Sequence, residues 1–592
     1  MNLRLLLAFA VAVLPAPLLA REALRIEPAD ATHVVERSAS ATIPAYVFEA
    51  SAASPIATLG RAETAESKAL EDLATWNNGG NRPRRNGFAR DLPAASAVTL
   101  DAGNSAPRGW MAAVEPSGER VFASRVRVDG AWRLRLHLAE VHLPAGARLL
   151  VYGAAGIAEP FGEEAIGPDG DLWTPSVGGE EITLEARLGA MALADAPAGF
   201  RLDRVMEILD LDATGSSYGT HVGPCVKDTA CVAGHTFSAL PSVRRAVALL
   251  GHVSQGKFSA ECTGALVNDT DESTTLPYLL TANHCYETPG EVATLEAFFD
   301  DYRTTCHGAA PALDTLPRVL GASLVATSKQ SDFTLVRLSK FPDNNRFLLG
   351  WDARPLADGA TLHQVSHPTG LPQAYNEGTV VLHPPAATTC GNEGGRPLND
   401  LTKFTYVQPT VGGTFVVSSG SPLMTDGGLV VGQLSDGCGP EPEDGCDYRN
   451  LCANGSFGAT YAAVAPYLDP GGASTPPCVP DAETLCLSAG RFRVRTHWNS
   501  KDGQSGNGQA VALTADTGYF WFFNDANVEM VVKVLNACGA FQRYWVFAGG
   551  LTNVHVQMTV TDVLTAAERV YDNPQSTAFL PIQDTNAFES CP

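Results

Sequence analysis

The chain has 592 residues, 45% of them hydrophobic and 18% charged, with a net charge of −23. That length exceeds what one hydrophobic core supports and implies three or four domains. The negative charge argues against nucleic acid and anionic membranes as partners.

The N-terminus reads Met1-Asn2-Leu3-Arg4, followed by an apolar run from Leu5 to Ala20. One positive charge, an apolar centre and small residues before Arg21 make residues 1–20 a secretory signal peptide. No later apolar run approaches the ~20 residues needed to span a bilayer. A secreted, extracellular protein is expected. Residues 1–224 hold no cysteine, and all thirteen fall between Cys225 and Cys591. In an exported chain this reads as disulfide bonding, with the odd number leaving at least one thiol free or intermolecular. No pair of CxxC motifs suggests zinc; neither metal nor cofactor is expected.

Residues 21–105 are rich in Ala, Ser, Glu and Arg and show little periodicity. Tyr46–Ala50 reads as one strand and Asn77–Arg85 as loop. Further strands are expected only after Gly118. Trp132-Arg133-Leu134-Arg135-Leu136-His137-Leu138 alternates at period two, which predicts a half-buried strand with Arg133, Arg135 and His137 facing water. His142 is read the same way, as a surface residue. Arg148–Tyr152 and Glu181–Leu188 are further strands, so 106–200 reads as a small antiparallel domain. Cysteines begin where composition shifts to Gly, Ser and Tyr, which places a boundary near 213–224. Short apolar runs separated by Gly, Pro and Asp then predict an all-β barrel or sandwich, closed by a short helix at Tyr461–Leu468 that Pro466 limits. Asp469–Pro477 is a linker by composition. Cys478 and Cys486, eight residues apart, close a small loop. Aromatic strands after 490 form a separate β-sandwich.

Three short motifs carry chemistry: Thr281-Ala282-Asn283-His284-Cys285, Ser331-Asp332-Phe333-Thr334-Leu335-Val336-Arg337-Leu338, and Val416-Val417-Ser418-Ser419-Gly420-Ser421-Pro422-Leu423. Hydrolysis by a serine needs a base for the hydroxyl proton, a carboxylate to orient that base, and N–H groups to meet the oxyanion. His284, Asp332 and Ser419 can supply the side chains, and the N–H groups of Val417 and Ser419 the oxyanion hole.

Together with Cys262-Thr263-Gly264-Ala265-Leu266, these motifs resemble the chymotrypsin-like serine proteases. The serine loop followed by Gly432-Gln433-Leu434, and the opening Cys225…Cys231, resemble the bacterial lysyl endopeptidase branch. The resemblance covers about 215–468 and implies a double β-barrel, with Arg148–Leu188 similar to the pro-region of the same branch. The division is then a signal peptide at 1–20, a β-rich pro-region at 21–214, a trypsin-like protease domain at 215–470, a linker at 471–477 and an accessory β-domain at 478–592. The resemblance implies the bridges Cys262–Cys285 and Cys231–Cys306. It takes Cys225 to Cys438, Cys446 or Cys452, of which Cys446 is preferred. Cys538–Cys591 pairs two cysteines left over, while Cys390, Cys438 and Cys452 stay unassigned.

The expected activity is that of a secreted serine endopeptidase, a monomer made as a precursor and acting on protein or peptide substrates. The alternative is a catalytically weak or inactive binding protein on the same scaffold, suggested by Val417 where the family usually has glycine. Specificity departs from both basic-residue patterns. Gly413 stands at the trypsin-type position, Gly455 at the lysyl-type aspartate, and Ser435 at the branch's pocket histidine. Glu441, Glu443, Asp444 and Asp447 lie on one acidic loop, read here as solvated.

Overall fold

The computed structural model describes residues 27–28, 57–60, 67–77, 83–100 and most of 107–590; within that last span the longest stretches outside the description are 190–197, 210–223 and 471–477. Expectations about the signal peptide, Tyr46–Ala50, most of the boundary at 213–224, the linker, Glu443 and Cys591 lie outside the described residues. No described helix is long and apolar enough to cross a membrane.

The first unit opens with helix α1 (Ser67–Asn77) and strand β1 (Arg84–Leu100), followed by β2 (Arg120–Val128), β3 (Arg133–His142), β4 (Arg148–Gly153), β5 (Glu181–Leu188) and β6 (Ala198–Ile208). Strand pairing gives two antiparallel groups, β2–β5–β4 and β3–β6–β1. Leu136, Leu138, Leu149, Leu184 and Val205 share one core with Phe122 and Phe200. Two expectations are corrected here. Strands begin well before Gly118, and the Asn77–Arg85 segment ends a helix and starts a strand. Arg133, Arg135 and His137 are also buried rather than solvent-facing, each 5% exposed or less. The alternation holds, but the polar face of β3 lies against the next domain. Arg133 pairs with Asp314 at 2.7 Å, and Arg135 donates to the Thr294 carbonyl at 3.1 Å. His137 sits between Asp203 at 2.7 Å and Asp171 at 3.3 Å.

The second unit is a pair of barrels sharing one large core. The first comprises β7 (Val247–Ser254), β8 (Phe258–Leu266), β9 (Tyr278–Ala282), β10 (Glu296–Phe299), a bent strand β11 (Arg318–Leu320 and Ala322–Ser328) and β12 (Phe333–Leu338). Gly321, at φ +78°, makes the bend that lets β11 pair with β10 on one side and β12 on the other. The second barrel comprises β13 (Thr361–Ser366), β14 (Ala374–Val380), β15 (Phe404–Val411), β16 (Pro422–Met424), β17 (Val430–Cys438) and β18 (Leu451–Ser456). It closes where β18 pairs with both β15 and β17. Helix α2 (Phe457–Leu468) follows, with Pro466 in its last turn, and buries Phe457 against Trp351.

The two units are joined by more than side chains. Strand β1 pairs antiparallel with β8, Arg84 opposite Glu261 and Phe88 opposite Phe258, so one sheet runs from the N-terminal unit into the first barrel. The third unit packs two five-stranded sheets on a core of its own, including Phe492, Phe520, Val532 and Met558. Within its aromatic run Phe520 and Phe522 are buried while Phe523 is half exposed, the alternation of a sandwich strand.

Five disulfides join described cysteines: Cys225–Cys446, Cys231–Cys306, Cys262–Cys285, Cys390–Cys438 and Cys478–Cys486. Cys452 is a free, buried thiol.

Candidate active site

His284 follows β9, Asp332 precedes β12, and Ser419 lies in the turn between β15 and β16. Two of the three come from the first barrel and one from the second, so the site sits on their junction. His284 is held twice by one carboxylate. Its backbone N–H donates to Asp332 Oδ1 at 3.0 Å, and its ring Nδ1 to Oδ2 at 2.7 Å. Asp332 takes a left-handed backbone, φ +50°, which short polar residues tolerate. Its carbonyl and that of Ser331 accept from Gln433 Nε2 at 3.2 and 2.8 Å, which fastens the carboxylate's loop to the second barrel.

Burial alone would lower the pKa of His284. The charge and hydrogen bond of Asp332 outweigh that and raise it above the ordinary histidine value, with smaller help from Asp436 and Glu287. A proton arriving on this imidazole is therefore stabilised. His284 Nε2 is buried and makes no hydrogen bond, to Ser419 or to any other described group.

The serine turn is pinned to the first barrel. Thr263 on β8 donates its N–H to the Ser419 carbonyl at 2.9 Å and its hydroxyl to the Val417 carbonyl at 2.8 Å. Gly420, at φ +82°, has no room for a side chain; a Cβ would meet Thr281 Oγ1 at 2.2 Å and the Thr263 carbonyl at 2.4 Å. Ser418 is fully buried and accepts from Ser366 Oγ at 3.1 Å and from the Phe415 N–H at 3.3 Å. The N–H groups of Val417 and Ser419 donate to nothing among the described residues. Val417 adopts φ +74°, a conformation β-branched residues resist, and buries its side chain beside Leu249 and Phe298. The arrangement offers an oriented imidazole, a hydroxyl on a tight turn, and two unspent donors beside it.

The family model "Lysyl endopeptidase, C-terminal domain" matches residues 220–448, and "Lysyl endopeptidase N-terminal domain" matches 57–202. A lysyl endopeptidase of Pseudomonas aeruginosa is 27% identical over 377 residues, covering 60% of this chain and 76% of that protein. The chain is a lysyl endopeptidase-like protease. Among solved structures, the active form of the Rv3671c protease from M. tuberculosis overlaps 42% of this chain and 92% of its own at 13% identity, with a TM-score of 0.27. Its inactive form overlaps 39% and 93% at 15% identity, with a TM-score of 0.26.

In this lysyl endopeptidase-like protease Gly413 and Gly455, the positions where the resemblance expects a pocket carboxylate, leave no room for one. A Cβ on Gly413 would meet the Gly445 carbonyl at 2.4 Å and Cys225 Sγ at 2.7 Å, and one on Gly455 would meet the Ser331 carbonyl at 1.9 Å. No acidic side chain fits at either position without rebuilding the backbone. Ser435 is buried. On the acidic loop, Asp447 is bound by Arg449 through two oxygens and Glu441 approaches the same guanidinium at 3.5 Å; Asp444 is exposed and accepts from the Cys446 N–H. Near Gly413, Thr414 Oγ1 lies 3.4 Å from Cys452 Sγ. Motif reading did not foresee the parts played by Gln433 and Thr263, nor the approach of Asp436 to His284. Each stands inside or beside a quoted motif, but its partner lies on the other barrel.

Proposed function

We propose that this protease is a serine endopeptidase, secreted as a precursor, in which Ser419 is the nucleophile. The observation that carries the reading is the double hold of Asp332 on His284 beside a turn with two unspent N–H groups. Ser419 Oγ attacks the peptide carbonyl while His284 Nε2 accepts its proton. Asp332 keeps Nδ1 protonated and stabilises the imidazolium. The oxyanion meets the N–H groups of Val417 and Ser419. His284 then returns the proton to the leaving amine, and water, activated by the same imidazole, releases the acyl group.

The disulfides and the family support an extracellular setting. Residues 21–214 act as a pro-region whose sheet covers part of the protease, and residues 478–592 as an accessory domain. One observation favours the non-catalytic alternative: His284 Nε2 makes no hydrogen bond with Ser419. Free enzymes often tighten this contact only with substrate bound. The test is covalent labelling by a serine-directed phosphonate together with casein cleavage. Both are expected, and both are expected to vanish in Ser419→Ala; absence of both in the wild-type protein selects the binding reading.

A further inference from the structure

The edge of β8 that borders the nucleophile is already occupied. Thr263 bonds the Ser419 carbonyl, and two residues earlier on the same strand Glu261 stands opposite Arg84 of β1. At roughly 3.3 Å per residue, Arg84 is about 7 Å along the strand from the Ser419 contact. The pairing is antiparallel, so the chain from Arg84 onward runs away from Ser419. A substrate segment on the amine side of the attacked bond, laid along this edge in the same way as β1, would run in that direction too. Opposed residues of paired strands project to one face. Arg84 and Glu261 therefore share a face, and both reach one corner. The Arg84 guanidinium donates to the Thr369 carbonyl at 2.6 Å, and Glu261 Oε2 lies at the next residue, 3.1 Å from where a Cβ on Gly370 would stand. Arg84 is buried, 4% exposed. The corner is rigid, since the Thr369 N–H donates to the Val416 carbonyl at 2.7 Å and the His367 N–H to Thr263 Oγ1 at 3.1 Å.

We propose that Glu261 and the Thr369 carbonyl form a subsite for a basic side chain about two residues beyond the cleaved bond, on the leaving-amine side, which Arg84 fills in the intact chain. The proposal rests on the reading of Ser419 as nucleophile. Arg suits it because a guanidinium can bond a carboxylate and a carbonyl at once. The subsite concerns the side of the cleft opposite Gly413 and Gly455, so it is independent of what the enzyme accepts before the cleaved bond.

The test uses protein secreted from the full-length gene. A peptide found to be cleaved in a library is made in two forms, with Arg or Ala at the second residue after the bond. The expected kcat/KM ratio is about tenfold in favour of Arg, the scale of one charge-assisted contact, and close to one in Glu261→Gln. A wild-type ratio near one, or a preference that survives in Glu261→Gln, overturns the subsite. Phosphonate labelling in the same samples separates the two readings: label without Arg preference removes the subsite and keeps the nucleophile. If no sample labels or cleaves, the nucleophile reading fails. The subsite is then judged in the full-length chain by a double-mutant cycle of Arg84→Ala and Glu261→Gln read by urea unfolding. Non-additive effects support the subsite, and additive effects overturn it.

Discussion

A few side chains set the chemistry, and each makes a separable prediction. Asp332→Asn keeps the left-handed backbone, which Asn tolerates, but presents an N–H where His284 Nδ1 needs an acceptor. The expected loss in kcat is about 10⁴, with the fold intact by circular dichroism. In the proposed mechanism His284 acts as a base only when neutral, and its pKa is raised, so the acidic limb of the kcat/KM profile is expected above the ordinary histidine value of about 6.5. Asp436 contributes to that rise from the opposite barrel. Asp436→Asn should move the limb to lower pH; a pH–rate profile that does not move, or moves upward, contradicts the assignment. Val417 balances two terms. Its positive φ costs on the order of 1–3 kcal/mol, and burying its side chain returns roughly 1.5–3 kcal/mol. Val417→Gly should therefore leave the unfolding free energy measured in urea within about 1 kcal/mol of wild type without reducing kcat/KM, because the N–H proposed to face the oxyanion is retained.

At the scale of strands and turns, the first barrel and the N-terminal unit meet across buried polar groups. His252 on β7 packs at a tilt against Tyr286, ring centroids 4.4 Å apart, and feels the guanidinium charges of Arg135 and Arg85 from the N-terminal unit. Burial first, and then those two charges, push its pKa down to about 3. The unfolded or separated chain binds this proton below about pH 6.5, and the docked state does not. Stability of the intact chain should thus be full above pH 6.5 and fall as pH drops toward 3, by at most about 1.4 kcal/mol per pH unit from this group. Urea unfolding at pH 7 and pH 4.5 measures it, and His252→Phe should flatten the difference. These contacts also show what local sequence could convey. The His284, Asp332 and Ser419 motifs were legible because each is a strand end or tight turn whose residue types are fixed within a few positions. The period of β3 was legible too. The destination of its polar face was not, since Asp314 and Thr294 lie in another domain. Arg84 and Arg85 read as loop because Arg near Gly, Asn and Pro is ordinary loop composition; only the distant edge of β8 makes them strand. The same limit hid Cys390–Cys438, which depends on β17 being brought beside a short strand at Thr389–Cys390.

Over the whole molecule, covalent bonds and cores follow the same partition. All five bridges among described cysteines lie within residues 225–486, and none reaches the N-terminal unit. Cys452 is buried and its pKa is raised by that burial, so it should resist alkylation in the native state and react once the chain is unfolded without reductant. Mass spectrometry of the alkylated peptide checks both halves. A cut between the N-terminal unit and Cys225 would leave the two pieces held by non-covalent contacts, among them packing, the Arg133–Asp314 ion pair and the β1–β8 pairing. Their separation then strips a partner from four residues, Phe258 to Glu261, and leaves a row of bare N–H and C=O groups facing water. Such a row invites any extended segment, including the same stretch of a second enzyme molecule, and is a route to self-association. The edge is short, and a charge stands at each end, Lys257 just before it and Glu261 within it. Concentrated, freshly separated enzyme should be most prone to clump where Glu261 is neutralised, a colloidal role for a side chain otherwise placed to receive a guest.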